Sequence, residues 1–136
     1  MLKFLSRKQR SQNPEVENLL RAVVETEVRN NRRSDERIDI AIAVAVVPLD
    51  EAGQPIIERR FVTVTKNISA DGLSIVSSKR IEDNRMLIGF SGAAISFVRA
   101  EVLHRERLPL GCEKLGLRMT NLVQPGEFPG LERLSI

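Results

Sequence analysis

The sequence predicts a mainly β domain, an antiparallel barrel or sandwich, preceded by one amphipathic helix. Beyond Arg37, short apolar runs follow one another, separated by polar turns and by no helical stretch. Ahead of them, one segment repeats its apolar residues three and four apart. A chain of 136 residues with 42% apolar content is long enough for one such domain with a real core.

The elements follow in order. Residues 1–12 form a basic arm in which Lys3, Arg7, Lys8 and Arg10 stand without an acid. Its apolar residues Leu2, Phe4 and Leu5 are too few for the core of a secretory signal, so the arm reads as a solvated end or a weak surface contact. Asn13-Pro14 starts a helix: the Asn side chain caps free amides, and Pro has no amide to leave unpaired. Glu15 and Glu17 fall in the first turn, where the helix dipole favours acids. Val16, Leu19, Leu20, Val23, Val24 and Val28 line one face of a helix over 14–30, which ends at Asn30-Asn31.

A first strand is expected from Ile38 to Val46, where Ile38, Ile40, Ile42, Val44 and Val46 alternate with Asp39 and alanines. The polar run Asp50-Glu51-Ala52-Gly53 between two prolines then reverses the chain. Further strands are expected over 56–64, 73–76, 86–90, 94–103 and 115–119, with 67–72 as a second turn. Pro125-Gly126 and Pro129-Gly130 break the pattern, and 131–136 has room only for a short helical cap. The chain thus divides into a basic arm (1–12), a helix (13–31), a β domain (32–123) and a tail (124–136).

Catalytic chemistry is poorly supplied. His104 is the only histidine and Cys112 the only cysteine, and neither has neighbours at metal-ligand spacing. No glycine-rich loop leads into a helix to cradle a phosphate. We therefore expect no enzyme, no metal and no cofactor. A single cysteine also excludes a disulfide framework and fits a reducing, cytoplasmic compartment. No apolar run approaches the roughly 20 residues of a membrane span. The net charge of +3 suits an anionic ligand but is too mild to announce a nucleic-acid binder.

Arginine is the conspicuous resource. Arg32, Arg33 and Arg37 stand just ahead of the first expected strand. Each guanidinium offers a planar fork that grips a phosphate with two hydrogen bonds and lies flat on a purine. The three could equally pair with Asp35, Glu36 and the helix carboxylates as a solvated linker. About thirty residues later comes Asn67-Ile68-Ser69-Ala70-Asp71-Gly72. In an extended backbone Asn67 and Ser69 share a face, where an amide and a hydroxyl can read a base edge, while Ile68 points the other way. Gly72 permits a positive φ or a close backbone approach.

Taken together, Arg33-x-x-x-Arg37 and Asn67-x-Ser69-x-x-Gly72 resemble the signature of the PilZ domain family, in the same order and at matching strand junctions. Gly116-Leu117-Arg118-Met119 resembles the closing glycine strand of that family, with Met119 where phenylalanine is commoner. The resemblance runs from Arg32 to Leu122 and leaves the helix outside. It implies a six-stranded antiparallel PilZ-like β-barrel, here with an N-terminal amphipathic helix and a short C-terminal helical cap. It also implies that the barrel holds cyclic di-GMP against its outer face. Arg33 and Arg37 would then contact phosphate and guanine, and Arg32 would cover the ligand. Asn67 and Ser69 would meet a guanine edge or the ligand backbone, and Gly72 would shape the turn.

The expected role is a second-messenger receptor that relays the signal to a protein partner, or to a second copy, through the helix. Two other roles stay open. One is a PilZ-like adaptor that binds no nucleotide; the other is a small nucleic-acid-binding barrel. The second is short of stacking surfaces, because Trp and Tyr are absent and the five Phe fall mostly at apolar strand positions.

Overall fold

The computed structural model describes residues 13–31, 41–69, 72–92 and 94–134. One helix, α1 (Pro14–Asn31), precedes six strands: β1 (Ala43–Pro48), β2 (Phe61–Ile68), β3 (Gly72–Ser77), β4 (Arg85–Phe90), β5 (Ser96–Arg107) and β6 (Glu113–Leu122). Every neighbouring pair is antiparallel, and the sheet closes as a barrel in the order β1-β2-β3-β6-β5-β4. Closure leaves no strand edge unpaired.

The start of α1 follows from its cap. Asn13 Oδ1 accepts hydrogen bonds from the amides of Glu15 (2.9 Å) and Val16 (3.3 Å), two donors that the helix itself cannot satisfy. The first half of the apolar stripe packs on the barrel: Val16 and Leu20 are fully buried in its core, with Leu19 and Val23 packed at the margin. A cleft of about 530 Å³ between Leu19 and Val23 on one side and Ile42 and Phe90 on the other marks where the helix meets the barrel end. At that end β1 begins, β4 finishes, and β2 turns into β3.

Strand periodicity sorts the wall into two faces. Val44 and Val46 of β1 point into the barrel with Ile68, Ile75, Ile88 and Leu115. Ala45 and Val47 point outward, yet they are buried too, beneath Phe128 and Leu131 of the tail, together with Leu87 and Phe97. The tail therefore covers the outside of the β1–β4–β5 wall, and among its described residues the helical element is one 3₁₀ turn, Leu131–Arg133. The β2–β3–β6 wall has no such cover among the described residues, and Val62 and Val64 of β2 stand about half exposed on it.

Three expectations are corrected. The first strand lies later than expected, over Ala43–Pro48, because both its faces are buried and alternation alone does not mark its limits. Residues 38–40 of the expected strand lie outside the described residues. Ile57–Arg59 is a 3₁₀ turn rather than strand, so β2 starts at Phe61 and runs on through Asn67 to Ile68. β5 extends four residues beyond Leu103, and with β6 it projects as a hairpin whose 104–107 side chains are exposed. Such a solvated stretch carries no apolar period to reveal it.

Candidate ligand-binding face

The uncovered wall is shaped by a β-bulge. Thr65 pairs with Ile75 and Asn67 with Ser74, so Lys66 is the extra residue on β2. The bulge switches the facing of the strand: Thr65 is buried before it and Ile68 after it, three positions apart, while Asn67 is turned to the outside. Ser74 Oγ donates to Asn67 Oδ1 at 3.0 Å, which fixes the amide plane and leaves its NH₂ group without a partner among the described residues.

Ser69 closes the connection to β3. Its amide donates to the Gly72 carbonyl at 2.9 Å and its hydroxyl reaches the same oxygen at 3.4 Å. Gly72 is the first residue of β3 and pairs with Arg118 of β6. A Cβ there would lie 2.2 Å from the Leu117 carbonyl oxygen, so β3 and β6 approach closely only because that side chain is missing. Beside it, the half-exposed Arg118 forms an ion pair with Glu101 of β5.

Of the six residues expected in the site, Asn67, Ser69 and Gly72 are thus brought together at the bulged β2–β3 connection. Arg32, Arg33 and Arg37 lie outside the described residues, as do Asp35 and Glu36. The chain that follows them is fixed beside the bulge. The Ile42 amide donates to Thr65 Oγ1 at 3.1 Å, and the Thr65 amide donates to the Ile42 carbonyl at 2.9 Å. Two further polar residues on this face, Ser74 and Arg118, carry no linear motif with Asn67. They come beside it only through the β2–β3 and β3–β6 registers.

Other concavities lie elsewhere. A polar cleft of about 790 Å³ opens at the opposite end, between Arg80, Arg105, Arg107 and Cys112, and an apolar one of about 310 Å³ sits under the tail beside Phe97 and Phe128. Arg105 is held there by the Ile81 and Asp83 carbonyls, Asn84 and Glu113. Among the described residues no cluster of His, Cys, Asp and Glu could hold a metal, and no helix is long and apolar enough to cross a membrane. No family model, curated protein or solved structure matches this chain.

Proposed function

We propose that this protein binds cyclic di-GMP on the outer β2–β3–β6 wall and acts as a PilZ-like receptor for that second messenger. The observation that carries the reading is the pair of hydrogen bonds between Ile42 and Thr65, two positions before Asn67. Arg37 precedes Ile42 by five residues, so its Cα lies within about 17 Å of that anchor however the chain runs. Chain length therefore permits the arginine-bearing segment to reach the Asn67–Gly72 connection, which supports the reading.

The chemistry is complementary. A cyclic dinucleotide presents two phosphates and two purines. Guanidinium groups match the phosphates with paired, charge-assisted hydrogen bonds and can stack on the bases. The Asn67 amide, held by Ser74, directs free N–H donors outward, where a guanine carbonyl or ring nitrogen can accept them. Nothing in this arrangement needs bond breaking, so the protein is read as a binding module.

Calorimetric titration of the full chain with cyclic di-GMP tests the reading. We expect saturable binding at micromolar nucleotide, with amide signals of Asn67 and Ser69 shifting in parallel. A folded protein that gives neither heat nor shifts overturns it.

A further inference from the structure

The outer wall carries a second feature in line with Asn67. The registers pair Asn67 with Ser74, Ser74 with Gly116, and Gly116 with His104, one transverse row across β2, β3, β6 and β5. Facing residues on adjacent strands are about 5 Å apart, so the row spans about 15 Å. Its middle is low, because Ser74 and Gly116 contribute almost no bulk.

His104 fills that depression in a particular way. A Cβ at Gly116 would lie 2.1 Å from His104 Cε1, 2.6 Å from Nδ1 and 2.7 Å from Nε2. Approach within the ring plane would leave both nitrogens far more distant than Cε1. The near-equal spacing puts the glycine beneath the ring face, so the imidazole lies flat along the sheet. His104 is exposed, and no hydrogen bond or ion pair engages it among the described residues. Its second face is therefore open to solvent, on a wall that offers no other aromatic ring in this row.

We propose that His104 is a stacking platform for a planar base, extending the ligand site from the β2–β3 connection to β5. The proposal rests on the nucleotide reading above. One base lies on the imidazole, while Asn67, at the other end of the low row, meets polar groups of the same ligand. Stacking of a base on an aromatic side chain contributes enough that its loss weakens binding about 5- to 150-fold.

The chain has one histidine, so its ring proton signals identify themselves in a proton NMR spectrum. The full chain is titrated with cyclic di-GMP and, separately, with guanosine 5′-monophosphate. The expected result is an upfield shift of both His104 ring signals by the ring current of the base. His104→Ala should bind about 5- to 150-fold more weakly, while His104→Phe, which keeps a flat face without the nitrogens, should stay near the parent. Gly116→Ala should resemble His104→Ala, since the new methyl lifts a ring that is still present. Binding of cyclic di-GMP with unmoved His104 signals and an unaffected His104→Ala variant overturns the platform and leaves the receptor reading standing. Shifts with the monophosphate but no binding of cyclic di-GMP keep the platform and overturn the receptor reading. Silence with both nucleotides overturns both.

Discussion

Gly72 and Leu117 meet so closely that a single methyl on Gly72 would fall 2.2 Å from the Leu117 carbonyl oxygen. The backbone of Gly72 is not in the left-handed region, so conformational freedom is not its role. The role is steric, and the atom it would strike is backbone, which cannot rotate aside. Gly72→Ala should therefore separate β3 from β6 and destabilise the fold by about 1–3 kcal/mol, as overpacking does. Gly116→Ala would strike only the movable His104 ring and should cost less. Thermal unfolding of the two variants checks the ranking, and equal losses would refute it.

Removing Ser74 tests whether the Asn67 amide is held in place for a purpose. Ser74→Ala deletes the 3.0 Å hydrogen bond to Asn67 Oδ1 and leaves Asn67 itself intact. A hydrogen bond of this kind contributes about 0.5–1.5 kcal/mol, so cyclic di-GMP affinity should fall about 2- to 12-fold. Asn67→Ala should fall at least as far. Unchanged titrations of both variants would mean that the amide does not meet the ligand.

The arginines should carry more of the affinity than the amide. Loss of a paired arginine–phosphate contact costs about 2–3 kcal/mol, or roughly 30- to 150-fold. Arg33→Ala and Arg37→Ala should each abolish binding at micromolar cyclic di-GMP, and lysine should restore little of it for want of the planar fork. Calorimetry on folded variants reads this directly, and parent-like curves for both would remove the arginines from the site.

What the sequence made legible here, and what it hid, follow one physical distinction. The Asn13 cap, the helical stripe of Val16 and Leu20, the alternation of β3 and the short apolar run of β4 are local patterns, and each can be read along the chain. The Asn67–Ser69–Gly72 motif is equally local. The bulge at Lys66 leaves no mark on composition, yet it decides that Asn67 faces outward. Ser74, Arg118 and His104 join Asn67 through strand register, and register is a relation between distant segments. Hence His104, a lone exposed histidine in the linear chain, becomes part of a row only in the folded barrel.

The helix should stay docked whether or not nucleotide is present. Val16 and Leu20 are fully buried in the barrel core, and exposing them would cost about 1.5–3 kcal/mol each. A ligand moves such an element only through differential affinity of that size. Leu20→Ala should destabilise the protein by about 2–5 kcal/mol in denaturant unfolding. Amide exchange over 16–20 should be slow and equal with and without cyclic di-GMP. Faster exchange in one of the two states would make the helix a switched output instead.

The tail carries a pH-dependent fastening on the opposite wall. Arg99 of β5 bonds to Glu127 Oε2 and lies 5.3 Å from the centre of the Phe128 ring, while Glu127 Oε1 accepts the Gln124 amide at 3.0 Å. The hydrogen bond from Arg99, and after it the Gln124 amide, holds the Glu127 carboxyl below its ordinary value. A depressed carboxylate contributes stability above its unfolded pKa of about 4.3 and loses that contribution as pH falls through the folded value. The tail over Ala45, Val47 and Phe97 should thus loosen on acidification below about pH 4.3. Glu127→Gln cannot titrate, so its melting temperature should start lower at pH 6 and converge toward the parent near pH 3. Parallel pH curves for parent and variant would show that Glu127 does not fasten the tail.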